Sequence, residues 1–206
     1  MRAMRAVVIL AACAAVAACG KERQVPPPDE GPAPGTTGYK VAQALAAGPD
    51  WMASVATVEQ WPLVDTAQFE VLQPGGGSWT CFPDQPASPR SDPLCADDQF
   101  LGWLTAWRAH AASPQLSGLA VAYVLKGFQV ASATDPHKVR PDAGQAWVDL
   151  PPAVFVATPD ASAYRGLPTT RPAAGPWVIW AGTPWAMMVV PMGQATLPVP
   201  STPGRK

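Results

Sequence analysis

The chain has 206 residues, with 14 Lys and Arg against 15 Asp and Glu, so its formal net charge is −1 and only 14% of it is charged. That balance excludes the clustered basic face of a nucleic-acid-binding protein and offers no electrostatic grip on a membrane. With 48% hydrophobic residues and nine tryptophans, there is ample apolar material for one sizeable core.

Arg2 and Arg5 lead into a thirteen-residue uncharged run over 6–18, rich in Ala, Val, Ile and Leu. This is the pattern of a secretory signal, and the run is too short for a helix crossing a hydrocarbon core of about 30 Å. Val16-Ala17-Ala18-Cys19-Gly20 has the form of a lipobox, so the sequence predicts cleavage before Cys19 and lipidation of its thiol. Leu10-Ala11-Ala12-Cys13 has the same form but leaves an apolar run of only about seven residues, which favours Cys19. An ordinary secreted protein cut near Ala18 is the simpler alternative. Gly20, rather than Asp, after the cysteine points to the outer membrane, facing the periplasm. Losing Arg2 and Arg5 with the signal leaves twelve basic against fifteen acidic residues, a mildly acidic mature chain.

Residues 19–38 form the predicted tether, charged and then rich in Pro and Gly, with little to bury and hence extended. A single globular domain is expected over 39–200, followed by a disordered tail at 201–206. Between Tyr39 and Gln60 the apolar spacing, broken at Gly48-Pro49-Asp50, predicts two short helices, with Asp50 as N-cap of the second and Trp61-Pro62 ending it. Gln68–Val71 and Ser78–Phe82 read as two strands around Gly75-Gly76-Gly77.

Cys81 and Cys95 are the two cysteines left in the mature domain, and an isolated pair in an oxidising compartment is expected to form a disulfide. The proline-rich loop between them should be irregular. Asp97 and Asp98 then suit a helix N-terminus, and the apolar residues from Phe100 to Ala111 predict an amphipathic helix to about Ala112, so the disulfide would staple a strand end to a helix start. Gly118–Leu125, two stretches around Pro151-Pro152, and Trp177–Trp180 with Trp185–Val190 read as strands, the last two as a terminal hairpin. The expected class is α+β: short N-terminal helices, one amphipathic helix after a disulfide loop, and a mostly antiparallel sheet ending in a hairpin.

Trp79-Thr80-Cys81-Phe82-Pro83-Asp84, Asp92-Pro93-Leu94-Cys95, Thr134-Asp135-Pro136 and Trp180-Ala181-Gly182-Thr183-Pro184-Trp185 occur in this order. The series resembles an uncharacterised family of exported bacterial proteins with W-T-C-x-P-D, D-P-M-C, T-D-P and W-x-G-T-P motifs and no assigned activity. The resemblance spans most of the mature chain and implies the domain limits and the disulfide rather than a function. Two positions depart from it. Pro152-Ala153-Val154-Phe155 stands where the family carries a histidine in P-H-x-M, and Met187 replaces a late histidine.

Candidate chemistry is sparse. No H-E-x-x-H, P-loop, G-x-S-x-G or Rossmann glycine pattern occurs, and the absence of Asn excludes a Cys-His-Asn protease. Of the two histidines, His110 suits the end of the amphipathic helix, where imidazolium favours the dipole. His137, beside Asp135, is the candidate general base or metal ligand, with an exposed turn histidine as the plainer reading. Asp84, Asp92, Asp97 and Asp98 offer hard oxygen ligands for calcium, although each also suits a turn or cap. Met187, with Met188 and Met192, offers thioether sulfur for copper, against ordinary core packing. Trp177, Trp180 and Trp185 are the candidate binding surface. No cofactor is called for. The expected partners are a membrane, through the anchor, and a small ligand or envelope protein. The resulting expectation is a non-enzymatic, lipid-anchored envelope domain, with a periplasmic enzyme centred on His137 as the alternative.

Overall fold

The computed structural model describes residues 31–62, 68–85 and 88–193. Cys19, the signal segment and the 201–206 tail lie outside the described residues. The elements in chain order are α1 (Thr37–Leu45), a 3-10 turn (Asp50–Ser54), β1 (Thr57–Gln60), β2 (Glu70–Gln73), β3 (Trp79–Phe82), β4 (Leu94–Asp97), α2 (Asp98–Arg108), β5 (Ala120–Val124), β6 (Phe128–Val130), β7 (Val148–Leu150), β8 (Ala153–Ala157), a second 3-10 turn (Ala161–Tyr164), β9 (Trp177–Ile179) and β10 (Met187–Pro191).

Eight strands make one sheet in the order β2-β1-β3-β4-β5-β8-β10-β9, while β6 and β7 pair separately. Every junction is antiparallel except β1 with β3. The architecture is α+β, mostly β, with the terminal hairpin formed by β9 and β10.

Successive side chains on a strand point to opposite faces, so the alternating pattern assigns each residue to a layer. Phe82, Leu94, Ala96, Ala120, Ala122, Val124, Phe155, Met187 and Val189 share a cluster with Phe100, Trp103 and Leu104 of α2. Cys81, Cys95 and Val58 cluster instead with Ala44 and Ala47 of the α1 segment and with Met52. A third, smaller cluster joins Val178 and Ala186 to Tyr164 of the second 3-10 turn. The sheet is thus buried on one face and half-buried on the other, by different elements. This explains why β5 and β8 read as apolar runs rather than as alternating strands.

Four expectations change at this level. Helix α1 begins at Thr37, inside the predicted tether, because the Thr36 hydroxyl accepts the Tyr39 N–H at 3.2 Å and caps it. The second N-terminal helix is a single 3-10 turn whose N-cap is Pro49, not Asp50, and the chain from Thr57 is a strand. The β-branched Val58 gains ladder partners on both sides there and Thr57 pairs with Thr80 of β3, which a short helix could not offer. The strands flanking the triple glycine are not neighbours: β1 lies between β2 and β3. Gly75 lets the turn ride over β1, since a Cβ there would fall 2.3 Å from the Ala56 carbonyl carbon. Finally, Cys81 faces Cys95 directly across β3 and β4 and the two are bonded. The disulfide therefore joins neighbouring strands, with helix α2 starting three residues later.

Candidate functional site

Helix α2 owes its position to both of its ends. Asp97 caps it, accepting the Phe100 N–H at 2.7 Å through one oxygen and the Val121 N–H of β5 at 3.1 Å through the other. Asp98 adds negative charge in the first turn. At the other end the His110 N–H donates to the Trp107 carbonyl and the Ala111 N–H to the Ala106 carbonyl, the paired bonds of a Schellman motif. His110 occupies its left-handed position with φ 50°, where glycine is the usual residue. So fixed, the helix presents Phe100, Trp103, Leu104 and Trp107 along one face.

That face does not close completely on the sheet. A cavity of about 90 Å³ lies between it, Leu94, Phe155 and Met187 of the sheet, Phe128 to Val130 of β6, and the segment carrying Pro136, Val139 and Trp147. Val139, 63% exposed, marks its rim. The lining is almost wholly aromatic and aliphatic; Gln85, Gln129 and Lys138 are its polar members.

The walls are held by hydrogen bonds that the tryptophans make outward. Trp61 donates its indole N–H to the Pro83 carbonyl, Trp107 to the Pro136 carbonyl and Trp180 to the Ser132 carbonyl, at 2.7, 2.7 and 2.8 Å. Each bond anchors an irregular segment to a rigid ring. Gln129, buried, accepts the Arg90 N–H at 3.2 Å and donates to Asp149 at 2.7 Å, and Arg90 closes the triangle with Asp149 at 3.0 Å. The loop between the cysteines is thereby tied to the β6–β7 ladder. Trp103, 3% exposed, has an indole nitrogen with no hydrogen-bond acceptor and stands perpendicular to Trp185 at 5.3 Å.

Trp180 completes the wall from an unusual backbone. Its φ is 54°, a conformation that bulky residues rarely adopt, and its surroundings over-determine it. The N–H donates to the Ala133 carbonyl at 3.0 Å, the carbonyl accepts the Thr183 N–H and hydroxyl, and the ring stacks on Trp103 at 6.0 Å. This is the structural use of the Gly182-Thr183-Pro184 motif.

The predicted binding surface is corrected here. Trp177, Trp180 and Trp185 are 4%, 5% and 3% exposed, so they are core residues rather than an open platform, and of the three only Trp180 lines the cavity. Their β-hairpin is packed beneath α2 and the 132–136 segment, which strand periodicity alone does not reveal. Met187 is buried and lines the cavity, Met188 sits on the opposite face, and Met192 is half exposed, so the three sulfurs do not share a site.

The four aspartates divide into two pairs. Asp97 and Asp98 serve the helix start. Asp84 and Asp92 meet within the loop: the Asp92 N–H donates to Asp84 Oδ1 at 3.0 Å and the Gln85 N–H donates to Asp92 Oδ1 at 3.2 Å. Asp92 is 0% exposed and its other oxygen, Oδ2, is buried without a hydrogen-bond partner. Burial pushes its carboxyl up to about 7; Asp84 reinforces that shift, while the Ser88 hydroxyl and Gln85 N–H oppose it. Among the described residues no three His, Cys, Asp or Glu gather into a metal-binding group.

His137 and Asp135 are joined, but not through the imidazole. The bond runs from the His137 backbone N–H to Asp135 Oδ1 at 2.9 Å, an Asx turn that starts the 135–139 segment. The ring instead lies parallel to Trp107 at 6.3 Å, perpendicular to Trp185 at 5.1 Å, and 5.2 Å from the ring of His110. The convergence of both histidines was not legible in the sequence, because it depends on where the loop after β6 returns to the end of α2.

No family model matches this chain, nor does any curated protein or solved structure. No helix among the described residues is long and apolar enough to cross a membrane.

Proposed function

We propose that this chain is an exported, lipid-anchored envelope protein whose domain binds a small apolar ligand, or an apolar group of an envelope partner, without catalysing a reaction. The carrying observation is the aromatic-lined cavity beneath α2, opening at Val139. An aromatic-lined cavity offers water few hydrogen-bond partners, so an apolar guest is its natural occupant. The guest is compact, a single ring or a short branched chain, because the volume is about 90 Å³. The lipobox at Cys19 and the Pro-rich tether support the envelope location, with the domain held off the membrane and the opening accessible from the periplasm.

The enzymatic alternative draws no support from the geometry of Asp135, whose bond to His137 shapes a turn and does not orient the imidazole. The test is titration of the protein with a series of small aromatic and branched aliphatic compounds, followed by tryptophan fluorescence, since Trp61, Trp103, Trp107 and Trp180 all line the site. A saturable response that Val139→Trp abolishes without lowering the melting temperature is the expected result. Equal responses in both proteins, or none in either, would remove the cavity from consideration as a binding site.

A further inference from the structure

We propose that the cleft between the second 3-10 turn and the β9–β10 hairpin binds a small organic carboxylate with a compact apolar body, at a site separate from the cavity beneath α2. Side chains alternate along a strand, so Val178 points to the opposite side of the sheet from Trp177 and Ile179. Those two join the α2 core, whereas Val178 packs with Tyr164 and Ala186 on the other face. There the surface recedes into a cleft of about 280 Å³, lined by the buried Tyr164, Val178 and Ala186 and by Leu167. That volume reaches the lower end of small-molecule sites.

Two glycine turns shape the cleft. The Leu167 N–H donates to the Tyr164 carbonyl at 3.0 Å, with Arg165 at φ −57° and ψ 127° and Gly166 at φ 88°, the dihedrals of a type II turn. Both flanks of this turn are fastened: the Tyr164 hydroxyl donates to the Val156 carbonyl at 3.0 Å, and the Val178 N–H to the Pro168 carbonyl at 2.8 Å. Gly182 of the hairpin also lines the cleft, at φ 80° in the turn that the Thr183 N–H closes on the Trp180 carbonyl. A Cβ on Gly166 or Gly182 would meet nothing within 4 Å, so no neighbouring side chain fills the space beside either glycine.

Arg165 supplies the charge. It is the one charged residue of the lining, it is exposed, and its guanidinium takes part in no salt bridge or hydrogen bond among the described residues. Asp160, the acid closest to it in sequence, is engaged instead with the Ser162 N–H and hydroxyl at 2.9 and 2.8 Å. A guanidinium stays charged at every accessible pH, and its planar fork matches a carboxylate in two parallel hydrogen bonds. A lining with one cation, no acid and an apolar floor therefore selects an anion joined to an apolar body. A bare inorganic anion would leave the Leu167 and Val178 surface unused.

The test uses the full isotope-labelled chain in detergent at neutral pH, titrated with cyclohexanecarboxylate, its neutral amide and inorganic phosphate while backbone amide shifts are followed. The expected result is saturable shifts at Leu167, Val178, Gly182 and Ala186 with the carboxylate, and none with phosphate. The amide should bind there about fivefold more weakly, the difference an exposed ion pair makes. Arg165→Gln should weaken the carboxylate to the level of the amide and Arg165→Lys should restore part of the difference. Neither should move the melting temperature, because that guanidinium has no partner in the fold. Val139→Trp, which blocks the α2 cavity, should leave these shifts unchanged, so the two sites succeed or fail separately. No shift with the carboxylate, equal binding of acid and amide, binding indifferent to Arg165→Gln, or phosphate binding as tightly as the carboxylate would each overturn the proposal.

Discussion

Trp103 and Trp180 stack nearly parallel, with 12° between their planes and 6.0 Å between centroids, although one belongs to a helix and the other follows a strand. The stack is possible because Trp180 leaves β9 in the left-handed region. A substitution at 180 therefore acts through both the side chain and the backbone. Trp180→Ala should cost about 3–5 kcal/mol, as large-to-small changes in cores do. Trp180→Gly should be less damaging by roughly 1 kcal/mol, the reverse of the usual order in a strand, because glycine accepts φ 54°. Urea denaturation of the two variants gives the order directly.

The Cys81–Cys95 bond spans 14 positions between directly opposed residues. Replacing both with Ala should lower stability by about 3 kcal/mol, the entropy of a loop of this length, with strands β3 and β4 still paired. Denaturation with and without reductant would measure it, and the double variant should become insensitive to reductant.

Stability should rise as pH falls from about 7 toward 4. Asp92 has an ordinary carboxyl value of 3.8 when unfolded, and burial raises it to about 7 in the fold. Between those values the native state holds a proton that the unfolded chain has released, so its contribution is full below the unfolded value and is lost as pH rises through about 7. The limiting slope is about 1.4 kcal/mol per pH unit. Asp92→Asn, which keeps the protonated shape, should flatten this slope and gain stability at pH 8, as read from denaturation midpoints across pH.

Adjacent glycines should differ sharply. A Cβ on Gly75 meets backbone atoms of Ala56 and Thr57 at 2.3 to 2.5 Å, whereas one on Gly76 meets nothing within 4 Å. Gly75→Ala should shift the turn off β1 and destabilise the domain by more than about 1 kcal/mol, while Gly76→Ala should be close to neutral. Thermal melting of the pair decides it.

Much of this architecture is readable locally. Asp97 as helix cap, the apolar face of α2, β5, β8 and the terminal hairpin follow from spacing, because each depends on neighbours in sequence, while the pairing of Cys81 with Cys95 follows from their being the two cysteines beyond Cys19. The strand at Thr57–Gln60 was hidden because its ladder partners come from elsewhere in the chain. The short β6 strand and the buried Gln129 were likewise invisible, being specified by contacts with Arg90 and Asp149.

The same division separates the cavity from the candidate residues of the sequence. The sequence by itself determined the α+β class and the supply of aromatic side chains. Only the tertiary structure decided that Trp177, Trp180 and Trp185 are buried, that α2 leaves a cavity above the sheet, and that His110 and His137 meet. The reason is physical: caps and periodicity act within a few residues, whereas cavities and ring pairs arise where segments distant in sequence pack, and their positions are set by the sheet order rather than by any local pattern.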